Sequence, residues 1–139
     1  MGMYTELHFN SELKRTTPAS ILSILEFMIN GGDEPTALLP DHPLFKSTRW
    51  RFMLNMDSYY FDADTISTLR YDDISESFYL CIRTNLKDYD NEIEKFIDWI
   101  MPYLNKYETG QFLGFYRYEE DEQPTLIFYK EQNNLDKNY

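Results

Sequence analysis

Residues 91–106, NEIEKFIDWIMPYLNK, carry the most regular hydrophobic pattern in the chain. At about 100° per residue, Ile93, Phe96, Ile97, Ile100, Met101, Tyr103 and Leu104 fall on one arc. Glu94, Lys95, Asp98, Asn105 and Lys106 fall opposite, with Trp99 on the rim. That division predicts a helix resting on a sheet with its other side in water. Asn91 is placed to serve as N-cap, with Glu94 reaching back as a capping box. Glu92 in the first turn and Lys106 at the end suit the helix dipole. Pro102 lies on the solvent arc, so it predicts a bend and not a stop.

The remaining chain alternates around this helix. Residues 5–13 predict a half-buried strand, with Leu7, Phe9 and Leu13 pointing one way and Glu6, His8, Asn10 and Glu12 the other. Thr17-Pro18 opens a largely apolar helix that Gly31-Gly32 ends. Residues 33–47 hold Pro35, Pro40 and Pro43 and predict an ordered loop laid over that helix, with Leu38, Leu39, Leu44 and Phe45 packing. Residues 49–57 predict a strand with Trp50, Phe52, Leu54 and Met56 inward. Strands follow at 65–71 and 77–86. A closing hairpin, 111–119 with 125–131, is apolar on both faces, as buried central strands are. The polar tail at 132–139 has nothing to pack.

The fold class expected is therefore α+β: a mostly antiparallel sheet of about six strands with two helices on one face, in the order β-α-β-β-β-α-β-β. A single domain over residues 1–131 accounts for the chain.

Charge narrows the partners. The formal net charge is −11 and the pI near 4.5, which disfavours nucleic acid and anionic membranes. A lone cysteine, Cys81, excludes an internal disulfide and fits a reducing cytoplasm. No stretch has the length of a membrane span. Twelve tyrosines and ten phenylalanines point to a surface that is partly buried and partly wet.

Catalytic signatures are missing: no phosphate loop, nucleophile elbow, zincin helix or paired-cysteine zinc pattern. Cys81 with His8, and Asp57 with Asp62 and Asp64, are the only groupings worth weighing for nucleophilic or metal chemistry. The bland readings, a structural cysteine and aspartate-rich turns, outweigh both. No catalytic residue, metal or cofactor is assigned, and an enzyme is the least expected class.

The arginines say more. All but Arg15 fall in predicted strands, and Arg51 and Arg83 share an outward phase with Glu6, His8, Tyr79, Asn55 and Asp57. A helix-free sheet face carrying these groups would bind a small anionic or aromatic ligand, a protein partner, or the matching face of a second copy in a homodimer. Cross-strand pairs that merely satisfy one another are the competing account. Acidic groups at 72–76, 88–94 and 119–122 support an alternative: an acidic inhibitor or DNA mimic of the kind carried by phages and mobile elements. The strand-helix-strand-strand order, read twice, resembles that of the gyrase-inhibitor-like small-molecule-binding domains. That resemblance implies two halves around a groove and carries over no residue. The function expected is a non-enzymatic binding domain.

Overall fold

The computed structural model describes residues 3–35, 37–58 and 60–132. Apart from Gln132, the expected tail lies outside the described residues. The element order is β1 (Thr5–Glu12), α1 (Ala19–Asn30), β2 (Thr68–Asp72), β3 (Ser77–Leu86), α2 (Glu92–Ile100), β4 (Phe112–Tyr118) and β5 (Thr125–Phe128), with 3-10 turns at Pro43–Lys46 and Met101–Tyr103. The strands form one antiparallel sheet in the order β2-β3-β1-β4-β5. Both helices lie on one face, and the fold is α+β. Among the described residues no helix is long and apolar enough to cross a membrane.

The core sits between sheet and helices. Leu7 and Phe9 of β1 and Leu80 and Ile82 of β3 meet Ile21, Ile24, Leu25 and Met28 of α1 and Ile93, Phe96 and Ile100 of α2. The rings of Phe9 and Phe96 cross edge-on with centroids 5.9 Å apart. Burial of such side chains, about 1.5–3 kcal/mol each, fixes the register, since a one-residue slip would turn the whole row outward. Gly31, at φ +83°, ends α1 and donates its N–H to the Phe27 carbonyl.

Residues 49–57 form no strand, so the sheet has five strands and the doubled order loses one member. Thr48 and Arg49 give their N–H groups to the carboxylates of Asp90 and Glu92. Phe52, Met53 and Asn55 then turn theirs back onto the carbonyls of Arg49, Trp50 and Phe52. With the backbone bonded in consecutive turns, little remains for a neighbouring strand. Trp50, Met53 and Leu54 are buried, and Phe52 is exposed, a spacing of three and four where alternation was expected.

Further expectations change. Asn91 is left-handed and makes no side-chain cap to α2. Asp88 instead accepts from the Ile93 N–H at 2.9 Å, and Glu92, fully buried, accepts from Asp90 and Arg49. Trp99 is buried against Phe45 and Phe96. In the proline-rich loop Leu44 and Phe45 pack as expected, but Leu38 stands in solvent. Pro102 marks a stop where a bend was expected: α2 ends at Ile100, tightens into the 3-10 turn Met101–Tyr103, and Leu104 is extended.

The hairpin at 112–128 differs in place. β5 is an edge strand, and Phe112, Leu126 and Phe128 are about half exposed. Apolar residues on its two faces therefore serve two purposes. Ile127 and Tyr129 enter the core, whereas Leu126 and Phe128 line the helix-free side.

Candidate functional site

Cross-strand register assembles the helix-free face. Glu6 stands between Asn85 and Arg117, His8 between Arg83 and Phe115, Asn10 beside Cys81, and Glu12 beside Tyr79. Alternation places these side chains opposite the core row of Leu7 and Phe9.

Each group has a defined setting. Arg117 donates from Nε to Glu6 Oε2 at 2.9 Å, and its guanidinium lies 5.1 Å from the centre of the Phe61 ring. Glu6 Oε1 lies 3.2 Å from His8 Nε2. The imidazole stacks on Phe115, with centroids 4.5 Å apart and planes inclined by 14°. Arg83 donates from Nε to the Asp64 carbonyl at 2.8 Å, and no carboxylate among the described residues lies within ion-pair distance of it.

Residues 60–65 wrap the C-terminal half of β3, beyond its pairing with β2, onto this face. Asn85 holds them through Nδ2 to the Ala63 carbonyl at 3.1 Å, and Tyr60 donates its hydroxyl to the Glu119 carbonyl at 3.0 Å. Phe61 is buried beneath the wrap. Two open clefts flank it. One, about 480 Å³, is lined by Tyr4, Asp57, Ser58, Phe61, Ala63 and Asp64. The other, about 310 Å³, is lined by His8, Asn10, Ile66, Cys81, Ile82 and Arg83.

Of the residues singled out from sequence, Glu6, His8 and Arg83 are brought together. Tyr79 shares their face but lies toward its far end, with the Arg70 guanidinium 5.0 Å from its ring centre. Asp57 reaches the larger cleft. Arg51 and Asn55 do not join them. Arg51 lies on the helix side, 5.6 Å from the ring centres of both Phe27 and Trp50, and donates to the Asp33 carbonyl. Asn55 is exposed in the turns that replace the expected strand. The pairing of Arg51 with Arg83 on one surface is thus corrected: it rested on the alternation of a strand that does not form.

Phe61, Phe115 and Arg117 were missed. Phe115 and Arg117 stand two apart on β4, and that period-2 relation was visible. Phe61 comes into place only through the wrap. Cys81 and His8 line one cleft, yet no hydrogen bond joins them among the described residues. Among the same residues no group of three or more His, Cys, Asp or Glu is placed to hold a metal ion.

The acidic stretches do not form one row. The β2–β3 turn sits where β1 ends at Glu12, and the β4–β5 turn where β1 begins at Thr5. Between β3 and α2, Asp88 faces Met3, Thr5, Tyr89, Tyr116 and Tyr118 across a shallow pocket. Burial, reinforced by the nearby Glu92 and Glu94 carboxylates, pushes the Asp88 carboxyl up to about 6, despite the opposing hydrogen bond from the Ile93 N–H. Burial and the Glu94 charge raise the Tyr116 phenol as well. No family model, curated protein or solved structure matches this chain.

Proposed function

We propose that this chain is a cytosolic, non-enzymatic binding domain whose helix-free face takes a small organic anion in the cleft between His8 and Arg83. One observation carries the reading. Arg83 stands in an open cleft, oriented through Nε by a backbone carbonyl, with no carboxylate in ion-pair reach among the described residues. A guanidinium held at one nitrogen keeps its terminal N–H groups for a planar anion. Arg117 is different, since Glu6 already neutralises it. The His8–Phe115 stack adds an aromatic flank for a ring. Asn10 and Cys81 close the cleft with small polar groups, and the exposed free thiol of Cys81 supports a reducing compartment.

The test is a thermal-shift titration with benzoate, phenyl phosphate and inorganic phosphate. A ligand at a hundred times its dissociation constant stabilises by about 2.7 kcal/mol, which is a shift of several degrees. The aromatic anions are expected to raise the melting temperature more than phosphate does, and Arg83→Gln to abolish the rise. An equal shift in Arg83→Gln, or none with any of the three, would reject the reading.

A further inference from the structure

We infer that a second copy of this chain docks along the free edge of β5, in an antiparallel two-fold pairing that continues the sheet from one protomer into the other. β5 lies two strands from His8 on the same face, with Phe115 between, and its pairing is measured independently of the His8–Arg83 cleft.

The first observation is the composition of the edge. β5 reads Thr-Leu-Ile-Phe, without a charge, in a chain of net charge −11. An edge strand presents unpaired N–H and C=O groups, and folded proteins commonly blunt that template with charges, proline, bulges or shortness; β5 has only its four-residue length and Pro124 just before it. The opposite edge follows the rule, because β2 carries Arg70 and Asp72. β5 has only β4 beside it among the described residues.

The second observation is a set of rings beside that edge. Phe112 and Phe128 are cross-strand partners with centroids 6.0 Å apart, and Leu126 pairs with Phe115. Ordinary alternation would place Phe112 and Phe115 on opposite sides. The register shift between Phe112 and Gly114 inserts one residue, so both face the helix-free side. Phe112, Leu126 and Phe128 thus form an exposed apolar strip running to the β5 edge.

Charge selects the occupant. Lys130 follows β5 at one end, with Glu131 after it in the opposite strand phase, and Glu119, Glu120, Asp121 and Glu122 make the turn at the other. In an antiparallel two-fold pair each end of one strand meets the opposite end of its mate. The Lys130 ammonium of each copy then approaches the acidic turn of the other, while uncharged strands meet in the middle. A parallel arrangement would set acidic turn against acidic turn. Four edge residues and three side chains cover less than the roughly 800 Å² per partner of a standard interface. The dimer is therefore expected to be weak, with a dissociation constant on the order of 10 μM.

The full chain is measured by sedimentation equilibrium from about 1 μM to about 1 mM, a range that brackets this affinity. The expected mass rises from 16.8 kDa toward twice that value. Leu126→Lys is expected to weaken association at least tenfold, and Thr68→Lys on the opposite edge to leave it unchanged. Hydrogen exchange on the unmodified protein guards against a variant that fails to fold. Amides of 125–128 should gain protection with concentration, and those of 68–72 should not. A monomer throughout the range, a dimer that survives Leu126→Lys, or one broken by Thr68→Lys overturns the proposal. So does a full chain that stays monomeric while one ending at Gln132 dimerises, because the chain's own C-terminal residues would then be the occupant.

Discussion

Along one edge of the sheet, β2 alternates charged and apolar residues and closes through a short turn that Asp72 ties to the N–H and hydroxyl of Ser75. Along the other, β5 is uncharged and joins β4 through a longer acidic turn and a register shift. The β2 edge is built from local bonds within a hairpin. The β5 edge depends on a backbone irregularity packed against the central strand, and on side chains left half in water. Position in the sheet is equivalent, yet one border carries charges of its own and the other carries none.

The change expected to disturb this contrast most is Gly114→Ala. Gly114 pairs with Phe9 at φ +154°, where a Cβ would overlap the His8 carbonyl oxygen and press on the Phe9 backbone. β1 would have to part from β4, at a cost of about 3 kcal/mol. Urea denaturation should show that loss, with exchange protection falling in β4 and β5 before β2. Uniform loosening of both edges would mean they are less independent than the bonding implies.

Glu92→Ala comes next and calibrates a loss belonging to neither edge. It leaves the N–H groups of Arg49 and Asp90 without their buried acceptor, costing about 2 kcal/mol. Its signature is disorder of residues 48–54 in exchange, with both edges retained.

Asp88 supplies a pH-dependent probe on the β4 side. Its carboxyl titrates near 6 in the folded chain against a reference value of 3.8. Between those values the folded state binds more protons than the unfolded one. Its contribution to stability therefore rises as pH falls from about 7 to about 4, and the full cost of holding it ionised is present above about pH 7. For a partly exposed group that cost is about 1–2 kcal/mol after solvent screening. Asp88→Asn keeps an acceptor for Ile93 and removes the titration. It should be more stable than the parent at pH 7.5 and converge with it near pH 4 in thermal scans.

Arg70→Ala on the β2 edge should do least. It loses a 3.8 Å ion pair with Asp72 and a cation–π contact with Tyr79, both well exposed. A change within about 0.5 kcal/mol is expected. A larger loss by denaturant titration would show that the charged edge stabilises the sheet as well as guarding it.

Much of this architecture was legible in the residues. The alternation at 77–86 matches β3 end to end, and Gly31 stops α1 where its missing Cβ permits φ > 0. The failures share one cause, which is distant chain deciding local form. Trp50, Phe52, Leu54 and Met56 fit a period of two. Trp50, Met53 and Leu54 equally fit three and four, and the carboxylates of Asp90 and Glu92 some forty residues away favour the second. The cap of α2 comes from Asp88 and not from Asn91, because the chain enters that helix through a left-handed residue. Glu6, His8 and Arg83 were placed together by strand phase alone. Arg51 was lost with its strand, and the Phe61 cover could not be read because the wrap is held by contacts from Asn85, Arg83 and Tyr60.

The insertion that displaces the ladder near residue 113 also sets how sticky the open face is. Deleting Leu113 would restore strict alternation with Phe112 two positions from Phe115, so the ring would stay on the helix-free side while a core side chain was lost. The protein would keep its exposed benzyl group and gain an internal gap. A shortened strand is less well folded and no less sticky, so deleting one amino acid and adding one charge are not equivalent ways to silence that border.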